Sequence, residues 1–458
     1  MTVPRTPARD RPAARAGSVA ILASVTALAF AAAARANGRF PTAQHVVLGA
    51  DGHSRRVTFR VTFGLLVSDD GAQSFRWLCE EAMYGPTMAA LTIDPSVEID
   101  DRGRTLIAFG GGLRWWSPDQ CGVTTVPGLV DRELADLAIT SDRSTVYAIE
   151  TTPGAPQWVL RASTADLGFA RVGEGLSGVE LGTIDVAPSD PRRIYVAGVT
   201  VGDRQPFVLR SDDAGQRFAR IEIVPGILGD GAYLAGVDPA DPGRLWVRTS
   251  LGLGSTLVRV RDGGRDVATV ARSMDPMLGF ARSGDGRTVW YGTVAEGLYR
   301  SDDGGGSFAR VNDLAVYCLA FHEGVLWACG DWLRGAFALG RSTDGGARFD
   351  PVLRFDDIAG PVQCAGEGPA GCEPRWPMVR STVVSSRVDA GFARRDAGSR
   401  DVVVLDAAAD VRPPSSESSN RGCGCATSRA PRSCVAPAVA ALSLWRCRRR
   451  SRSGSVGR

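Results

Sequence analysis

Leu298-Tyr-Arg-Ser-Asp-Asp-Gly-Gly-Gly-Ser-Phe-Ala-Arg310 contains a short box, Ser301-x-Asp303-x-Gly305-x-x-Phe308, whose recurrence decides the fold. Ser211-x-Asp213-x-Gly215-x-x-Phe218 and Ser342-x-Asp344-x-Gly346-x-x-Phe349 repeat it in full, and Ser68-x-Asp70-x-Ala72-x-x-Phe75 lacks only the glycine. Short Asp and Ser side chains share hydrogen bonds with turn backbone. Glycine at the fifth place permits a positive φ, and the aromatic eighth residue can tuck beneath the turn. The box therefore reads as a hairpin signal. One or two carboxylates per turn fall short of the roughly six to eight oxygens that calcium takes.

Weaker copies complete a series. Trp116-Ser-Pro-Asp-Gln-Cys121 puts cysteine at the glycine place, Arg161–Arg171 keeps the frame without the central Asp, and Arg259–Val267 keeps Asp and Gly without the Ser. Box starts fall at 68, 117, 162, 211, 260, 301 and 342, so successive copies are 41–49 residues apart. That period matches four-stranded propeller blades. The segments between boxes are short apolar runs split by turns. One unit reads as strands at 278–282, 288–292, 297–300 and 307–311. The expectation is an all-β, seven-bladed propeller of four-stranded antiparallel blades. An eighth unit is less favoured, because the faint echo at 384–394 has no strands ahead of it.

The composition is globular, with 44% hydrophobic and 22% charged residues in 458. The net charge of +3 comes from C-terminal arginines; the body is mildly acidic, which argues against nucleic acid as a partner. At the N-terminus Arg5, Arg9, Arg11 and Arg15 precede an apolar stretch, Val19–Ala34, and a small-x-small site, Ala34-Arg-Ala36. Residues 1–36 thus read as an export signal, in keeping with ten cysteines and an oxidising destination.

Cys318 and Cys329 flank the turn Phe321–Val325 at nearly opposite positions, so a cross-strand disulfide is expected. Cys364 with Cys372 is expected to close the Gly/Pro-rich loop between them, and Cys79 with Cys121 to tie neighbouring blades. The body has no Cys-x-x-Cys pair and the chain only three histidines, His45, His53 and His322; no metal is expected. With no lysine there is no Gly-x-x-x-x-Gly-Lys phosphate loop, and no cofactor is expected. The propeller with a disulfide-closed cap is placed at 37–376 and a disordered linker at 377–421, including the Pro/Ser-rich 413–420.

The boxes resemble the Asp-box (BNR) repeats of sialidases, sortilin-type receptors and other exported propellers, over roughly residues 40–355. The resemblance implies the propeller and places the boxes at a rim away from binding sites. Residues 422–458 resemble the MYXO-CTERM sorting signal of exported myxobacterial proteins: Gly422-Cys423-Gly-Cys425, an apolar segment Val435–Trp445, then Arg446-Cys-Arg-Arg-Arg450. That likeness implies processing at Cys423 or Cys425 and attachment to the membrane or cell surface, although an 11-residue segment is too short to cross a bilayer.

Two functions compete. A sialidase-like glycoside hydrolase would need an arginine cluster, a Tyr–Glu pair and an acid; Glu150, Glu180 and Tyr195 are available, but no spacing groups them. A binding or scaffold module for carbohydrate or protein would use the loops opposite the boxes. There Asp331, Trp332 and Arg334 form the favoured ligand site, an aromatic bordered by charges on a Gly-flanked loop. No catalytic residue is assigned.

Overall fold

A computed structural model describes residues 41–49, 55–85, 94–118, 122–223, 231–252, 254–335, 337–363 and 372–383. Their strands form seven four-stranded sheets, each antiparallel and each built from four consecutive strands. The blades span residues 43–79, 96–125, 133–176, 179–222, 231–273, 277–312 and 316–353. The first strand of each blade is innermost and packs on the first strands of its two neighbours, and blade 7 packs on blade 1, so the ring closes.

The burial pattern explains the strand types. Second strands are the most buried: Ile194–Thr200 in blade 4 and Thr105–Phe109 in blade 2 are buried at nearly every residue. Such strands are covered on both sheet faces by adjacent blades, so alternation disappears. Fourth strands lie at the rim and read as mixed, as in Ala219–Glu222.

Closure is not by strand exchange between the ends of the chain. All four strands of blade 1 come from residues 43–79. After blade 7 the chain returns along the outer strand of blade 1 (Arg76–Cys79), where Ala359 N donates to Phe75 O (3.0 Å), Trp77 N to Gly360 O (2.8 Å) and Val362 N to Trp77 O (2.9 Å). This is a short parallel addition. A helix over 372–383 follows, fixed to blade 1 by a Cys79–Cys372 disulfide, an Arg375–Glu81 ion pair of 2.6 Å and Trp376 against Trp77.

Two expectations are corrected here. Cys79 is bonded to Cys372, so neither the Cys79–Cys121 nor the Cys364–Cys372 pairing forms; the return strand carries Cys372 to the end of blade 1, a proximity that local spacing does not encode. Cys121 and Cys364 themselves lie outside the described residues. Among the described residues after 357, 359–362 lie along blade 1 and 372–383 are helical. The pairing within blade 7 is as the register requires: Cys318 and Cys329 are cross-strand partners and are bonded. The signal at 1–36, residues 384–421, and Cys423 and Cys425 in the tail lie outside the described residues.

Candidate functional site: the channel mouth opposite the boxes

The up-and-down order gives each blade two ends. First-to-second and third-to-fourth hairpins lie on one face, here called lower; second-to-third loops and blade connectors lie on the other, upper face.

The boxes occupy the third-to-fourth hairpins. In the complete ones the Ser hydroxyl donates to the Asp carboxylate and accepts the backbone N–H at the fifth place: Ser301 Oγ to Asp303 Oδ1 at 2.6 Å and Gly305 N to Ser301 Oγ at 2.8 Å. Asp303 also accepts from Gly306 N and Ser307 N. Ser211/Asp213 and Ser342/Asp344 repeat the arrangement, as does Ser68/Asp70. The hydrogen bond from Ser301, then those from Ser307, hold Asp303 well below the usual carboxylate range.

Positive φ occurs at the fourth as well as the fifth place, including Ala214 (60°) and Ala72 (66°). The fifth-place glycine has a second reason. A Cβ on Gly305 would lie 2.4 Å from the indole nitrogen of Trp246 in blade 5, and Trp290 of blade 6 donates to Gly345 O in the blade 7 box at 2.9 Å. Each of these boxes is therefore also a seam to the preceding blade. The aromatic eighth place packs inward: Phe75 is buried, and Phe308 lies edge-on to Tyr291 at 4.9 Å.

Inner strands carry a register shift near their upper ends in every blade but the second, at Gln44, Ala135–Asp136, Gly182, Ala235, Leu278 and Tyr317. A bulge leaves backbone donors without ladder partners. Side chains of the preceding blade take up several: Leu137 N donates to Ser96 Oγ, Ile184 N to Asp136 Oδ2 and Leu234 N to Thr183 Oγ1. Asp185 likewise accepts from Val237 N. These acids latch blade to blade around the channel.

The bulges surround an upper cavity of about 470 Å³, lined among others by His45, Arg60, Asp136, Tyr233, Arg248, Met277, Leu278 and Leu319. A lower cavity of about 540 Å³, lined among others by Glu98, Arg143, Arg282 and His322, shares His45, Phe280 and Leu319 with it, so the two are adjacent. Burial, then the nearby Arg60, pushes His45 down to about 3, so it is neutral. Burial raises Asp136 to about 6 despite its hydrogen bonds, and raises Glu98 to about 8.

The upper face is also where apolar surface is exposed. Among the described residues the exposed large apolar side chains are Val130, Val201, Met274 and Leu278, at 50%, 59%, 87% and 44%. Val130 and Met274 lie in blade connectors, Val201 in a second-to-third loop, and Leu278 at the upper end of the inner strand of blade 6. All four are on the upper face.

Asp331, Trp332 and Arg334 face different surroundings. Trp332 is 7% exposed. Its indole N–H donates to Pro41 O at 3.1 Å and its ring packs on Phe355 at 5.2 Å, so it fills the seam between blades 7 and 1. Asp331 turns its carboxylate onto Leu333 N and Arg334 N, and Arg334 projects outward. The aromatic near these charges is Tyr317, at the bulge of blade 7, whose phenol is pushed up by burial, then by Asp331. Glu150, Glu180 and Tyr195 are not brought together: Glu150 pairs with Arg132 and Arg171, Glu180 with Arg204, and buried Tyr195 donates to Pro242 O. A usable signal for the inner strands was the glycine recurring beside the bulges, at Gly182, Gly236 and Gly279.

Among the described residues no group of His, Cys, Asp or Glu is arranged to hold a metal ion, and no helix is long and apolar enough to cross a membrane. No protein-family model matches the chain, and no curated protein matches it. Similar solved structures include a chain of a nidogen/laminin complex (10% identity, 54% of this chain, 91% of that one, TM-score 0.38). Another is the extracellular domain of a hybrid two-component system of B. thetaiotaomicron (13%, 64% and 37%, TM-score 0.45). A third is YCF48 bound to a D1 peptide (13%, 47% and 67%, TM-score 0.35). At these scores no function transfers. From its own sheets, the chain is a seven-bladed β-propeller of four-stranded antiparallel blades.

Proposed function

We propose that this propeller is an exported binding or scaffold module that engages a protein partner through its upper face. The observation that carries the reading is that the four exposed large apolar side chains among the described residues, Val130, Val201, Met274 and Leu278, all lie on that face, with Leu278 in the lining of the upper cavity. Exposed apolar surface marks interaction sites where it is contiguous, Met and aromatic residues are enriched in such sites, and a partner that spans the upper face would cover all four side chains. The lower face is occupied by hairpins whose polar groups satisfy one another, as expected of Asp-boxes. Two disulfides fit an oxidising compartment, consistent with export through residues 1–36 and with surface attachment through a sorting tail at 422–458.

The test uses the full chain. It is applied to immobilised envelope and extracellular proteins, to a glycan array and to fluorogenic glycosides. Saturable protein binding that Met274→Asp weakens, with no glycoside turnover, is the expected result. Turnover, or saturable binding confined to glycans, overturns the proposal.

A further inference from the structure

Arg248, on the second strand of blade 5 (Leu245–Leu251), is unlike the paired arginines around it. Arg244 meets Asp238 at 2.5 Å, Arg261 pairs with Asp266, and Arg193 with Asp212 at 2.7 Å. Among the described residues no carboxylate forms an ion pair with Arg248. Its guanidinium sits 4.6 Å over the Tyr233 ring and donates from Nη1 to Met277 O at 2.5 Å. Burial lowers its pKa, and among the described residues the Tyr233 phenol is the ionisable neighbour that opposes this. A guanidinium stays charged in proteins, and a half-buried one without an ion-pair partner is well met by an anion.

The surroundings define what would neutralise it. Tyr233 lies against the guanidinium, the Met277 carbonyl fixes one nitrogen, and both residues line the upper cavity with it. The adjoining wall is apolar: Leu257 and Met277 are buried, and Leu278 and Leu319 border the same space. Asp94 and Asp136 line this cavity against Arg60 and Arg248, so these four carry no net positive charge and disfavour a ligand with several negative ones. A carboxylate matches the guanidinium fork in shape and charge, whereas a phosphate dianion brings more charge than the wall compensates. We infer that the upper cavity binds a carboxylate borne on an apolar body, held by Arg248 with Tyr233 behind it. The inference rests on the binding reading only for the source of that carboxylate, which is a side chain or chain end of a protein partner, or a free organic acid.

The test is calorimetric titration of the full chain with hexanoate, hexanol, inorganic phosphate and the peptide acetyl-Ala-Leu-Leu with a free or amidated end. Hexanoate is expected to bind saturably and more tightly than hexanol or phosphate. Arg248→Met is expected to lower its affinity about 10- to 100-fold, the worth of a charged hydrogen-bonded pair. Arg248→Lys keeps the charge without the fork and falls between. Near-UV circular dichroism checks that the variants are folded; if Arg248→Met is not, Arg248→Lys and Tyr233→Leu serve, each expected to weaken hexanoate. A free-ended peptide that binds more tightly than hexanoate assigns the carboxylate to a protein, and the reverse order to a small acid. Absence of hexanoate binding, equal binding by a folded Arg248→Met, or tighter binding of phosphate overturns the inference. Met274→Asp lies outside the cavity lining and is expected to leave hexanoate binding unchanged, so failure here is separable from failure of the docking face.

Discussion

The indole N–H of Trp332 donates to the carbonyl of Pro41, 3.1 Å away and 291 residues earlier in the chain. This contact joins the last blade to the segment entering the first. With Phe355 packed on its ring, Trp332 belongs to the hydrophobic seam that includes Phe59 and Phe75.

Trp332→Ala is therefore expected to destabilise the fold by about 3–5 kcal/mol, the range for truncating a large buried aromatic. Denaturant unfolding measures it. A loss of ligand binding with unchanged stability would return Trp332 to the surface role its sequence context suggests.

The two disulfides are expected to differ in worth. Cys318–Cys329 spans 11 residues within a hairpin already paired, whereas Cys79–Cys372 spans 293 and closes the ring. Loop-closure entropy alone favours the longer bridge by about 3 kcal/mol. Thermal melts of the Cys79→Ala/Cys372→Ala and Cys318→Ala/Cys329→Ala pairs should show the larger fall for the first; equal melts would mean that the strap over 359–362 closes the ring unaided.

Within a box, the serine is expected to matter more than the aspartate. Ser301 is buried and its hydroxyl accepts from Gly305 N, so Ser301→Ala leaves an enclosed donor unpaired, at about 1–3 kcal/mol. Asp303 is exposed, and water can replace it on Gly306 and Ser307, so Asp303→Ala should cost about 1 kcal/mol or less. Urea titration of both variants gives the order, and the reverse order would contradict the geometry.

Glu98 sets a pH dependence. Burial, reinforced by Asp136 and Asp185 and opposed by Arg143, raises its carboxyl to about 8. The unfolded chain loses this proton near its ordinary value, about 4.3. Between those values the folded state binds more protons, so stability falls as pH rises through the window. Glu98→Gln removes this term. The variant should match the wild type in melting temperature near about pH 4 and exceed it near about pH 8; a constant difference across the range would show that Glu98 is ionised throughout.

What could be read in the chain was what local chemistry encodes. Ser301, Asp303 and Gly305 announce a hairpin because their bonds fall within five residues, and repetition converts that hairpin into a blade count. Cys318 and Cys329 were legible because one short turn fixes their register. The strap on Arg76–Cys79, the Cys79–Cys372 bond and the burial of Trp332 depend on residues nearly 300 apart meeting at closure, which no periodicity carries. The channel mouth was hidden for another reason. Leu278 lines it at a bulge, and a bulge shifts side chains between faces without changing the apolar pattern that marks the strand.

The central claim is that contact with a partner is made on the upper face. A photo-crosslinking residue placed at Met274 on that face, or at Gln216 in a lower-face box, tests it directly when the full chain is produced in its native cell. Adducts from Met274 that unlabelled protein competes away, with none from Gln216, are the predicted result. Competed adducts from Gln216 alone, or equally from both positions, would contradict it.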